Sequence, residues 1–188
     1  MRRTVPVRHD EAVSLLIRDA DHHDLPGILE IHNEAVLNTT AIWDEETVDV
    51  EDRREWLEAR HRAGYPVLVA VYSGEASDDD DAESGGRVAG YASYGVWRAK
   101  SGYRYTVENS VYVHVDHHRK GIASQLMAAL IERAKAGSVH VMVASIESGN
   151  TTSIALHERF GFRTVAVMPE VGMKFGRWLD MTFMQLTL

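Results

Sequence analysis

Chemistry concentrates in the stretch Val111-Tyr-Val-His-Val-Asp-His-His-Arg-Lys-Gly-Ile-Ala-Ser124. An alternating apolar run ends there, a basic turn containing one glycine follows, and Ile122, Leu126, Ala129 and Leu130 begin a helical stripe. A strand entering a helix through such a turn leaves the first backbone N–H groups of the helix without partners. It also aims the positive end of the helix dipole outward. That arrangement suits an anion such as a pyrophosphate. Arg119 and Lys120 add charge, and Gly121 lets the backbone approach closely. A basic residue beside a helix start is as often an ordinary solvated turn, and the residues alone leave the two readings level. The Gly-x-x-x-x-Gly-Lys-[Ser/Thr] pattern of a mononucleotide loop does not occur. His114, His117 and His118 have Asp116 as the one nearby acid and no second carboxylate-rich stretch, so they read as a histidine-rich solvated turn and no metal is expected.

The chain that must position this turn has 188 residues, 45% of them hydrophobic, enough for one domain with a sizeable core. It has no cysteine, which excludes disulfides, thiol nucleophiles and thiolate metal sites and fits a reducing, cytoplasmic setting. No apolar run approaches the roughly 18 residues of a spanning helix. None of signal-peptide length follows Arg2 and Arg3. A net charge of −8 argues against a nucleic-acid partner, although six of those charges come from the acidic run Glu75 to Glu83.

Along the chain, residues 1–14 read as a flexible polar leader before a domain over 15–188. Leu15 to Arg18 reads as a short strand, followed by a helix over Leu25 to Leu37 that Asp21 and Asp24 can cap, with Pro26 in its first turn. A second helix is expected over Val50 to Arg62, with Trp56, Leu57 and Arg60 at helical spacing. Strands follow over Val67 to Tyr72, Arg87 to Val96 and Tyr103 to Val115, the first two joined by an acidic loop insertion at about 73–86. The pattern then predicts a helix from Arg119 to Ala136, a strand over Val139 to Ile146 and a helix over Asn150 to Phe160 capped by Asn150. Two closing strands fit Phe162 to Val167 and Leu179 to Leu186. The order is β-α-α-β-β-β-α-β-α-β-β, a mixed α/β sheet in a single domain.

His118-Arg119-Lys120-Gly121-Ile122-Ala123 resembles the Arg/Gln-x-x-Gly-x-Gly/Ala signature of the GNAT superfamily of N-acetyltransferases. The second half of that family's pattern is matched by Asn150-Thr-Thr-Ser-Ile-Ala-Leu-His157-Glu-Arg-Phe-Gly161-Phe162. Within the superfamily, Thr106-Val-Glu-Asn-Ser-Val-Tyr-Val113, His140 to Asn150 and Lys174-Phe-Gly-Arg-Trp-Leu-Asp180 resemble the phosphinothricin and methionine sulfone or sulfoximine acetyltransferases. The resemblance implies an α/β (α+β) GNAT fold, with a mixed, mostly antiparallel central sheet flanked by helices. It implies acetyl-CoA as co-substrate, no metal, a small amino-acid-like amine as acceptor, and a homodimer.

It also implies roles. Val111, Tyr112 and Val113 would lie along the pantetheine arm, with backbone bonds from Val111 and Val113. Arg119, Lys120, Gly121, Ile122, Ala123 and Ser124 would hold the pyrophosphate, and Asn150 would contact the cofactor besides capping its helix. His118 departs from the usual Arg or Gln, which implies altered cofactor affinity. Glu108 matches the family's general base. His157 stands where many members carry a tyrosine and the closer group a histidine; as imidazolium it could give the thiolate a proton, as a neutral ring it could take one from the amine. Trp97, Arg98, Thr106, Val107 and Glu108 would contact the acceptor, with Arg98 gripping its carboxylate and Lys100 and Arg104 as rivals. Trp43 would wall the side-chain pocket or simply fill core. A peptide or aminoglycoside acceptor, or a sensor that binds acetyl-CoA without transfer, are the alternatives.

Overall fold

The computed structural model describes residues 14–73 and 87–188. The expected leader, apart from Ser14, and the acidic segment 74–86 lie outside them. Strand β1 (Ser14–Asp19) leads through a short 3-10 turn (His22–Asp24) into helix α1 (Leu25–Asn38), and α2 (Val50–Arg62) follows. Strands β2 (Val67–Ser73), β3 (Val88–Val96) and β4 (Thr106–Val113) precede helix α3 (Ile122–Ala136). Strand β5 (Val141–Glu147), helix α4 (Thr151–Arg159), and strands β6 (Arg163–Lys174) and β7 (Arg177–Thr187) complete the expected order. One seven-stranded sheet results, ordered β1-β2-β3-β4-β5-β7-β6, in which only β4 and β5 run parallel.

Several boundaries differ for local reasons. Helix α3 starts at Ile122 rather than Arg119, because Arg119 (φ 62°) and Gly121 (φ 80°) hold left-handed conformations that interrupt a right-handed helix. Asp21 caps the 3-10 turn, but Asp24 makes no side-chain cap to α1; Arg18 takes its carboxylate in a two-pronged pair at 2.7 and 2.8 Å. Strand β4 is shorter than expected because 3-10 turns at Ser101–Tyr103 and Val115–His117 bracket it. The β6–β7 hairpin is longer than expected. Its apolar residues are offset by register shifts at Thr164/Ala166 and Met168/Gly172, which break the simple alternation a strand pattern needs.

The two sheet faces carry different helices. Val107, Met142, Ala144 and Met184 pack with Leu126, Met127 and Leu130 of α3 on one face. Val67, Val69 and Tyr91 pack with Ile28 and Ile31 of α1 and Leu57 of α2 on the other. Alternation along each strand decides which side chain meets which face. Among the described residues, no helix is long and apolar enough to cross a membrane.

Candidate active site

The parallel pairing of β4 with β5 covers only Thr106↔Val141, Val107↔Met142 and Glu108↔Val143. Beyond Glu108 the two strands separate, while β4 stays paired with β3 up to Val113. The β5-facing edge of Asn109 to Val113 is therefore a stretch of strand whose backbone donors and acceptors have no ladder partner, a template for an extended ligand. Val111, Tyr112 and Val113 are half-buried along this edge.

The edge runs into the basic turn. Gly121 at the start of α3 offers no side-chain cap, and the first bond of the helix ladder runs from the Gln125 N–H to the Gly121 carbonyl (3.2 Å). The amides of Ile122, Ala123 and Ser124 thus precede the ladder, available to an anion. Arg119 is exposed beside them. Lys120 is turned back toward His117, with Nζ 3.1 Å from Nδ1. His118 does not face outward freely either: its Nε2–H donates to the Val113 carbonyl at 2.9 Å. A cation that the sequence reading missed joins the turn, since Arg159 of α4 donates to Ser124 Oγ at 3.1 Å. Free amides, a left-handed glycine and guanidinium groups form the donor set that a pyrophosphate requires.

Glu108 and His157 do not meet. Glu108 is half-buried on the α1/α2 face, where Ser145 of β5 donates a short hydrogen bond to its carboxylate. His157, only 5% exposed, lies on the α3/α4 face. Its Nδ1–H donates to the Ser153 carbonyl (2.8 Å), so its Nε2 is the acceptor for the Asn109 amide (3.2 Å). Burial is the main influence on this ring and pushes its pKa below the ordinary histidine value, the bond to Ser153 opposing it in part. The ring is neutral at pH 7, packed edge-on against Phe162 at 4.9 Å. Asn109, absent from the expected site, donates to the ring that Ser153 orients and also reaches Met127 of α3 at 3.6 Å.

The α1/α2 face also holds a cavity of about 210 Å³ lined by His32, Ile42, Asp44, Arg53, Trp56, Tyr91, Ser110 and Tyr112. Ser110 and Tyr112 are the next residues along β4 on the same face as Glu108. Burial raises the Tyr112 pKa to about 12, with the nearby Glu108 and Asp44 charges adding to the effect. Trp43 packs over Gly172 of the hairpin, where a Cβ would come within 2.1 Å of its ring, and its Nε1–H donates to the Thr40 carbonyl at 3.0 Å. Thr40 in turn donates to Glu147 at the end of β5 (3.1 Å).

The other expected acceptor residues fall unevenly. Thr106 is half-buried at the start of β4. The Val107 side chain, placed with the acceptor group by the sequence reading, is turned away from Glu108 into the α3 core by strand alternation. Trp97 stands edge-on against Phe183 (5.8 Å), and Arg98 is exposed over the Trp97 ring at 5.0 Å. Lys100 is exposed, and so is Arg104, which stacks on Tyr105 at 4.4 Å. Asn150 caps α4 through an accepted bond from the Ser153 N–H at 3.0 Å. Among the described residues, no three His, Asp or Glu side chains gather as a metal site would require.

Residues 17–183 match the family model of the acetyltransferase (GNAT) domain. The chain belongs to the GNAT acetyltransferases. It is 57% identical over 176 residues to an L-methionine sulfoximine/L-methionine sulfone acetyltransferase of Pseudomonas paraeruginosa, covering 94% of this chain and 96% of that one. It is 36% identical to a phosphinothricin N-acetyltransferase of Streptomyces coelicolor, over 92% of this chain and 95% of the relative. An acetyltransferase of Salmonella typhimurium, solved with its cofactor acetyl-CoA, superimposes with a TM-score of 0.84 at 51% identity, over 93% of this chain and 94% of that one. This GNAT chain is an N-acetyltransferase, and acetyl-CoA is its co-substrate.

Proposed function

We propose that this enzyme acetylates the α-amine of a small amino-acid analogue of the methionine sulfoximine, methionine sulfone or phosphinothricin type. The observation that carries the reading is the separation of β4 from β5 immediately beyond Glu108, which puts the candidate base at the mouth of the unpaired strand edge. In this reading the backbone of Val111 and the N–H of Val113, whose carbonyl already accepts from His118, hold the pantetheine arm. The α3 amides with Arg119 and Arg159 hold the pyrophosphate, while Lys120 follows if it leaves His117. Asn150 adds a cofactor contact beside its cap.

The acceptor occupies the α1/α2 face, near Trp97, Thr106 and Ser145, with Trp43 closing its side. Glu108, held in place by Ser145, takes a proton from the acceptor ammonium. The neutral amine attacks the thioester carbon to form the C–N bond, the C–S bond breaks, and the departing thiolate takes the second proton that the nitrogen sheds. His157 has its Nδ1–H committed to Ser153, its Nε2 accepting from Asn109 and its ring kept neutral by burial, so in this reading it neither gives nor takes a proton. Its contribution is to hold Asn109, and with it the start of the open edge. A peptide or aminoglycoside acceptor has less support, since the 210 Å³ cavity fits a small side chain.

Glu108→Gln tests the assignment. Turnover with methionine sulfone should fall by roughly 10²- to 10⁴-fold, with acetyl-CoA affinity retained. Unchanged turnover at neutral pH would remove Glu108 from the role.

A homodimer through β6 and β7 is part of the proposal. The outer face of the hairpin exposes Val165 (58%), Val167 (54%), Met173 (53%) and Trp178 (63%), an apolar band on an edge strand that a second copy would cover. The cysteine-free composition supports a cytoplasmic setting.

A further inference from the structure

Gly95 of β3 stands directly opposite Glu108 in the β3–β4 register. Arg60 of α2 lays its guanidinium on that glycine: a Cβ there would sit 2.0 Å from Nη1 and 2.5 Å from Cζ. Opposed positions in an antiparallel pair lie about 4.5–5.5 Å apart, so cation and carboxylate are neighbours across the strands. Burial, helped by the Arg53 charge, lowers the Arg60 pKa, and Tyr65 and then Glu108 oppose it.

Arg60 is half-buried, and its Nε is buried without a hydrogen-bond acceptor. No carboxylate among the described residues forms an ion pair with it, and besides Gly95 it lies 6.0 Å from the Trp56 ring, itself a wall of the 210 Å³ cavity. The other cations near this face are engaged or turned outward. Arg53 pairs with Asp52, Lys174 is spent on three carbonyls, and Arg98 lies exposed on Trp97. A guanidinium left half-desolvated with unused donors is costly unless a ligand completes it.

We propose that Arg60 anchors the α-carboxylate of the acceptor, so that Arg60 and Glu108 together read an α-amino-acid headgroup. Such a headgroup carries its ammonium and carboxylate on one carbon, and a site that reads it needs an anion and a cation side by side. Strand register supplies that spacing here: the ammonium turns to Glu108 and the carboxylate to Arg60. Gly95 belongs to the device, since a side chain there would occupy the guanidinium's place. The inference rests on the reading that the acceptor enters on the Glu108 face. It moves the carboxylate grip from Arg98 to Arg60.

The test compares methionine sulfone with its carboxamide as acceptors, in the wild type and in Arg60→Gln, Arg60→Lys, Gly95→Ala and Arg98→Gln, with acetyl-CoA affinity measured for each. The wild type should prefer the free acid by roughly 10- to 100-fold in kcat/KM, the value of a charge-assisted pair. Arg60→Gln should erase that preference by raising KM for the acid while leaving the amide within about twofold, and Arg60→Lys should restore part of it. Gly95→Ala keeps Arg60 but evicts its guanidinium, and should act like Arg60→Gln even if that variant folds poorly. A preference that survives Arg60→Gln and Gly95→Ala, or one that collapses in Arg98→Gln instead, overturns the proposal. Absence of wild-type turnover with both acceptors would overturn the acceptor reading beneath it, and this proposal with it.

Discussion

Glu108 and His157 sit on opposite faces of the sheet, and their surroundings give them different chemistry. Glu108 is half-buried on the α1/α2 face and bonded by Ser145, whereas His157 is enclosed, neutral and bonded at both ring nitrogens. A histidine whose folded pKa lies below its unfolded value of about 6.5 binds fewer protons folded than unfolded. Stability is therefore full above pH 6.5 and is lost as pH falls toward the folded pKa. His32, also pushed down chiefly by burial, adds to the same slope. Melting curves should show Tm falling from pH 7.5 to 5.5, and His157→Gln should fall less steeply over that interval. An equal slope in the variant would mean that His157 does not carry this titration. Glu108 and His157 were both legible in the sequence through the resemblance, but their separation was not, because the face a residue takes depends on register. Arg60 was visible as a charge on the inward stripe of α2 beside Trp56 and Leu57, a signal that packing periodicity alone assigns to the core.

At the scale of elements, the site is a defect in the sheet joined to the start of a helix. The turn from His118 to Ala123 was readable because its glycine and basic residues are local features. The early end of the β4–β5 pairing was not, since nothing within either strand marks where two parallel neighbours part. The register-shifted β6–β7 hairpin escaped for the same reason: its pairing is set by bulges rather than by alternation. Helix α3 depends on Gly121 at φ 80°, where a Cβ would meet nothing within 4 Å, so Gly121→Ala adds backbone strain and no clash. That strain is about 1–2 kcal/mol, equivalent to roughly 2–8 °C of Tm for a domain of this size. The tilted first-turn amides should also weaken acetyl-CoA binding, while kcat at saturating cofactor is retained. Calorimetry and cofactor titration of the one variant check both effects.

Across the whole molecule, Lys174 ties the C-terminal hairpin to the end of α1 and the loop after it. It is 1% exposed, and its Nζ donates to the carbonyls of Val36 (2.5 Å), Thr39 (2.8 Å) and Ile42 (2.5 Å). Burial lowers its pKa, and the Asp44 and Glu45 charges oppose that. The cation closes the C-terminal end of α1, where the helix dipole favours positive charge, and fixes the loop that carries Thr40 and Trp43. Lys174→Met leaves three buried carbonyls unpaired and should cost about 3 kcal/mol or more, seen as a lower denaturation midpoint. KM for the acceptor should rise more than KM for acetyl-CoA if the loop walls the acceptor side, as proposed. Equal changes in both would show that the hairpin supports the entire site rather than one half of it.

Release of free thiol measures acetyl transfer to a free α-amino-acid analogue directly. Incubated with acetyl-CoA and, separately, methionine sulfone, methionine sulfoximine, phosphinothricin, a peptide and an aminoglycoside, the enzyme should release free CoA thiol quickly with one or more of the first three. With the peptide and the aminoglycoside it should do so only at the background rate. Thiol release confined to the peptide or the aminoglycoside, or tight acetyl-CoA binding with no release for any acceptor, would contradict that transfer.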